Sequence, residues 1–170
     1  MTTVNIAYGT YTAMTVTNLQ SLANDTSDPF SGWQSARVSN ISTLADDYEV
    51  VIHLPMAATA ASGDKTVYVY LIPWVTTDGG TTWLCGGNFS TTTAPTGSEG
   101  TASISDPNSM IKAARLPYVI TSQPVDGYFN ISQFLGAAPD GWSLAIRNGS
   151  GAALSTGCVV SYRAITYTNA

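Results

Sequence analysis

The sequence predicts an all-β protein, an antiparallel β-sandwich of jelly-roll type with about eight strands and little or no helix. Three observations predict it. Short runs of β-branched and aromatic residues recur along the chain, with Gly, Pro, Asn or Asp between most of them. One run, Lys65 to Trp74, is apolar at consecutive positions, as a strand covered on both faces must be. Helix signals are confined to one stretch that Pro117 cuts short. At 170 residues the chain can bury a core without disulfides or metal.

Residues 1–11 read as an N-terminal arm, polar and threonine-rich with no packing face, and residues 12–170 as a single domain. The first expected strand is Thr12 to Leu19. After Ser21-Leu22-Ala23 comes a polar loop, 24–29, whose oxygen density makes it a calcium candidate, with a capped turn as the simpler reading. Gly32 and Trp33 open a second strand that runs to Ser39. In Tyr48 to Leu54, Tyr48, Val50, Ile52 and Leu54 share one face, while Asp47, Glu49, Val51 and His53 share a wet one. Met56 to Asp64 is a loop.

Lys65 to Trp74 is the centre of the pattern. Val67, Val69 and Leu71 lie on one face and Tyr68, Tyr70 and Ile72 on the other. Its second face is covered either by the chain itself or by a neighbouring molecule. Pro73 lacks a ladder donor, so pairing should loosen there. Asp78-Gly79-Gly80 marks a hairpin returning through Thr81 to Cys85, glycine supplying the positive φ of the turn. Gly86 to Pro107 reads as a long polar excursion. Asp106 and Pro107 can cap and open a helix of one or two turns before Pro117. Leu116 to Thr121 and Tyr128 to Phe134 read as strands around an Asp126-Gly127 turn. Trp142, Leu144 and Ile146 then alternate with Ser143, Ala145 and Arg147, 148–157 is a turn or loop, and Val159 to Thr168 is the last strand.

Charged residues make up 10% of the chain, against about 25% in an average domain, and serine, threonine, glycine and alanine replace them. Such surfaces suit β-proteins that pack side by side. The net charge is −5 and the six basic residues are scattered in sequence, so no nucleic-acid partner is expected. Apolar runs are strand-length, so no membrane span is expected, and the N-terminus carries no secretory pattern. Cys85 and Cys158 read as buried small hydrophobes, with a disulfide open if the protein leaves the cell. Asn24, Asn40, Asn88, Asn130 and Asn148 each begin an Asn-X-Ser/Thr triplet, expected by chance in so hydroxyl-rich a chain.

No catalytic residue, cofactor or metal is expected. Asp47 and Glu49 have a spacing of roughly 6–7 Å, within the range for a glycosidase pair, but on the wet face of a strand. His53 is the single histidine, and two distant cysteines complete no zinc set. No phosphate loop is present. Thr76, Asp78, Gly80, Thr82 and Trp83 resemble the Asp-box of sialidases, which in that family is a folding device. Here the simple reading is a hairpin whose Asp holds turn amides and whose Trp packs at the base. Trp33, Trp74, Trp83 and Trp142 with nine tyrosines could line a sugar platform, but core and subunit interface is the reading preferred. The interface candidates are Tyr68, Tyr70, Trp74, Trp33, Tyr8 and Tyr11.

The order of features is similar to that of small tailed-phage proteins that decorate or cement the capsid. It runs from Ser21-Leu22-Ala23 through Gly32-Trp33-Gln34-Ser35, Asn40, Asp47-Tyr48, Lys65 to Tyr70 and Asp78-Gly79. It continues through Gly136 to Leu154 and ends at Tyr162, covering most of the chain. The resemblance implies a jelly-roll subunit on the outer surface of a virion, made in the host cytoplasm. Its partner would be the major capsid protein, whose subunits it bridges, and it would be a homo-oligomer with a trimer favoured. The alternative is a carbohydrate-binding or host-attachment module of a phage fibre.

Overall fold

The structure, a computed structural model, describes residues 3–25, 27, 30–86, 95–104 and 110–169. Along them run β1 (Val4–Tyr8), β2 (Thr12–Ala13), β3 (Phe30–Gln34), β4 (Val38–Ser39), β5 (Asp47–Leu54) and β6 (Thr66–Val75). There follow β7 (Leu84–Cys85), β8 (Gly100–Ile104), β9 (Ile111–Pro117), β10 (Val125–Asn130), α1 (Ser132–Leu135), β11 (Gly141–Gly149) and β12 (Val159–Asn169).

Two antiparallel sheets result. The first has the order β1-β12-β5-β10, with β2 alongside β12. The second has the order β7-β6-β11-β3-β8, with β9 also on β6 and β4 on β11. Set aside β2, β4, β7 and the added edge strand β8, and eight strands remain. The first of these pairs with the last (β1·β12), the second with the seventh (β3·β11), the third with the sixth (β5·β10) and the fourth with the fifth (β6·β9). The chain is one long antiparallel ribbon folded over on itself, which is the jelly roll expected.

Alternation builds the core. Tyr48, Val50, Ile52 and Leu54 of β5 face Val67, Val69 and Leu71 of β6 and Trp142, Leu144 and Ile146 of β11 across the sandwich. The Trp142 ring sits 5.4 Å from both the Tyr48 and Tyr162 rings. The second face of β6 is covered by the chain itself. Tyr70, Ile72 and Trp74 pack with Ala145 of β11, Ala102 of β8, Met110, Trp83 and Cys85. Trp74 Nε1 donates to Ser143 Oγ at 2.8 Å within this layer. Around Pro73 the ladder behaves differently on its two sides. Pairing with β11 runs unbroken past Pro73, but on the other edge β9 stops at Leu71 and β7 takes over at Trp74.

Several expected boundaries move. Of Thr12 to Leu19 only Thr12 and Ala13 pair; the chain then turns, and Leu19 is driven wholly into the core. Gly32 to Ser39 divides into β3 and β4 at Ser35, whose hydroxyl accepts from the Leu144 amide at 2.9 Å in place of a backbone carbonyl. The excursion expected over Gly86 to Pro107 contains β8, a polar edge strand anchored through Ala102. The start of the helix expected at Asp106 and Pro107 lies outside the described residues, and from Ile111 the chain is strand. Lys112 to Arg115 favour helix, but β6 presents an edge of ladder groups that need partners. Asp126-Gly127 is no turn: both residues pair within β10. Strand ends at Asn130, and α1 follows, closed by Gly136 in the left-handed conformation.

Candidate functional site

The first sheet carries its outer face bare. β5 is its central strand, between β12 and β10. Three rows cross it by register: Val159, His53 and Asp126; then Ser161, Val51 and Tyr128; then Arg163, Glu49 and Asn130. Tyr128 is 67% exposed, and Val159, across β5 and one row along, is exposed too. Val51, His53, Asp126 and Tyr128 rim one shallow apolar depression, and Tyr11, Val51 and Ser161 rim a second. His53 Nδ1 and Asp126 Oδ1 lie 2.6 Å apart and tie β5 to β10.

At the β1 end, the arm is clasped to this face. Arg163 Nε lies 3.0 Å from Glu49 Oε1, and its Nη2 donates to Oε2 at 3.2 Å. The guanidinium also sits 4.4 Å from the Tyr8 ring and 4.8 Å from the Tyr11 ring. The Tyr11 hydroxyl donates to Glu49 Oε1. That bond, with Arg163 behind it, holds the Glu49 carboxyl below its usual range, and the same bond to the Glu49 carboxylate pushes the Tyr11 phenol up. Tyr8 and Tyr11, two of the interface candidates, are exposed at the edge of the face. Tyr68, Tyr70, Trp74 and Trp33 are covered by the chain's own atoms, Trp33 completely, and leave little surface for a neighbour.

The carboxylate pair departs from expectation. Asp47 is not on a wet strand face: it is 1% exposed, because α1 folds over it. Its carboxylate accepts from the Ser132 amide at 2.8 Å, Ser132 Oγ at 2.6 Å, Asn130 Nδ2 at 2.9 Å and the Tyr48 amide at 2.8 Å. It staples β5 to the β10–α1 junction. Glu49 belongs to the clasp, and His53 lies at the surface as expected.

The hairpin at 76–83 does what its residues imply. Asp78 Oδ1 accepts from the Thr81 and Thr82 amides at 3.1 and 2.8 Å, and Trp83 Nε1 donates to the Gly80 carbonyl at 2.8 Å. Gly79 and Gly80 take the positive φ values the turn requires, 68° and 98°. The Thr82 amide, with the Thr82 and Thr76 hydroxyls and the Thr81 amide, lowers the Asp78 carboxyl to about 2. Trp83 supports Arg37, whose guanidinium lies 4.0 Å from its ring.

In the loop weighed as a calcium site, the Asp25 carboxylate accepts from the Ser27 and Ser31 amides. Thr26, Asp28 and Pro29 lie outside the described residues. No group of three His, Cys, Asp or Glu able to hold a metal occurs among the described residues. Cys85 and Cys158 do not meet; burial raises both thiols, Cys158 to about 11. Asn40 and Asn148 are buried hydrogen-bonding hubs that no glycan can reach. A cleft at one end of the sandwich is lined by Thr10, Thr12, Ser39, Thr43, Tyr48 and Tyr162. Sequence reading missed this cleft and the Glu49–Arg163 pair, since both depend on which strands lie side by side.

No family model matches this chain, and no curated protein matches it.

Proposed function

We propose that the chain is a non-enzymatic structural protein of a virion, a capsid decoration protein that docks on the outer shell and bridges neighbouring major capsid subunits. The observation that supports it most is the bare outer face of β5, β10 and β12. Tyr128, Val51 and Val159 form an apolar strip there, edged by Tyr8 and Tyr11. A solvated face is ordinary for an antiparallel sheet, and it is the apolar strip within this otherwise polar face that marks a contact surface. The low charge suits close lateral packing, and a homotrimer is the assembly proposed. The mechanism is mass action: a subunit that binds the assembled shell and not the loose one stabilises the shell.

The second reading is a carbohydrate-binding or attachment module. Its tryptophan platform is reduced to Trp83, which is half-buried, because Trp33, Trp74 and Trp142 are buried. What favours it is the hydroxyl-lined cleft, where Thr10, Thr12, Ser39 and Thr43 surround the half-buried Tyr162 ring. One experiment separates the two. The purified protein is sedimented with mature shells lacking it and with host surface polysaccharide. Saturable binding to shells, with raised heat resistance, supports decoration; binding to polysaccharide alone overturns it in favour of attachment.

A further inference from the structure

Basic residues scattered in sequence converge on one ring. Tyr68 pairs across the ladder with Arg115 on one side and Arg147 on the other, and Tyr70 pairs with Lys112. Lys112 Nζ, Arg115 Cζ and Arg147 Cζ lie 5.0, 5.5 and 5.9 Å from the centre of the Tyr68 ring. Half of the chain's six cations therefore surround one buried aromatic side chain.

A backbone irregularity makes this possible. Lys112 and Arg115 are three apart, which in a regular strand puts them on opposite faces. The register shifts between Val69 and Tyr70: Ala114 pairs with Val69 and Lys112 with Tyr70, so Ala113 is the extra residue of a bulge. The bulge turns Lys112 and Arg115 to the same face. The ring attracts the cations but leaves their charge intact. Arg147 is engaged with the Asp25 carbonyl, at 3.5 Å from its Nε. Lys112 and Arg115 are exposed, and the two ion pairs among the described residues, His53–Asp126 and Glu49–Arg163, involve neither.

We propose that Lys112, Arg115 and Arg147 around Tyr68 form a docking site for an acidic segment of a protein partner. Arginine presents paired donors that match a carboxylate, and lysine adds a point charge. The rest of the molecule decides against a long polyanion. Outside the cluster, three cations stand against eleven acids, so an extended phosphate backbone is repelled as soon as it leaves the site. A short run of Asp or Glu can end within the cluster, with Lys112 and Arg115 on the side away from Asp25 and Arg147. This inference does not require the partner to be a capsid subunit.

The test is fluorescence anisotropy of a labelled short oligoglutamate with the full-length protein at low salt, beside an oligoglutamine of equal length and a short thymidine oligonucleotide. The variant is Lys112→Ser with Arg115→Ser, both at exposed positions, with its melting temperature measured alongside. Oligoglutamate should bind the native protein and oligoglutamine should not. Affinity should fall with salt and drop about tenfold in the double variant. No binding of oligoglutamate, equal binding by the double variant, or tighter binding of the oligonucleotide would each overturn the proposal.

Discussion

The outer faces of the two sheets are finished in opposite ways. On β6 and β11, Tyr70, Ile72, Trp74 and Ala145 are sealed under a second layer drawn from the same chain. On β5, β10 and β12, Tyr128 and Val159 stand in solvent, and the arm reaches only the edge of the face through Tyr8 and Tyr11. Both faces carry aromatic and β-branched residues. What differs is whether the chain supplies its own cover. An aromatic on the first face is therefore a stability residue, and an aromatic on the second is free for a partner.

The comparison predicts unequal costs. Trp74→Ala should cost about 3–5 kcal/mol, since it empties the second layer and strands the Ser143 hydroxyl. Tyr128→Ala should stay within about 0.5 kcal/mol of the native protein. Chemical denaturation measures both, and similar costs would erase the distinction. Asp47→Ala should follow, at about 2–3 kcal/mol, because it leaves Ser132 and Asn130 donors without a partner beneath α1. Its denaturation midpoint should fall well below that of a Tyr128→Ala control.

Smaller effects sharpen the picture of the clasp. The Glu49 carboxyl is depressed in the fold, so its contribution is fully present above the ordinary glutamate range and is lost as pH falls through the depressed value. Protection factors of the β1 and β2 amides, taken relative to the unfolded chain at the same pH, should thus fall on acidification, and Glu49→Gln should remove that dependence. If β1 protection factors ignore both pH and the substitution, the arm is held by its ladder alone. Smallest of all, Asp78→Ala should speed exchange at the Thr81 and Thr82 amides. In the native protein those amides should stay protected down to about pH 2, where Asp78 protonates.

Much of the fold was legible because alternation and turn chemistry are local. Lys65 to Trp74 announced a strand buried on both faces, and Trp142 to Arg147 announced its neighbour. The sequence did not tell whether the second cover came from the chain or from another molecule, because Tyr68, Tyr70 and Ile72 look the same under either. Helix-forming residues at 112–115 misled where an open sheet edge overrode propensity. Asp47 misled because alternation assigns a side chain to a face without saying what folds over that face. The clasp and the ring of cations were illegible for a related reason. Glu49 and Arg163, or Tyr68 and Arg147, are joined only by strand order and register.

We propose the bare face of β5, β10 and β12 as the docking surface. The most direct measurement compares binding of Tyr128→Glu and Val119→Glu to mature shells lacking the protein, by quantitative sedimentation. Both positions are exposed, but Val119 lies in the loop after β9, outside the three rows that cross the face. Loss of saturable binding in Tyr128→Glu, with native-like binding in Val119→Glu, is the predicted result. Native-like binding by Tyr128→Glu would contradict it and move the docking surface elsewhere on the molecule.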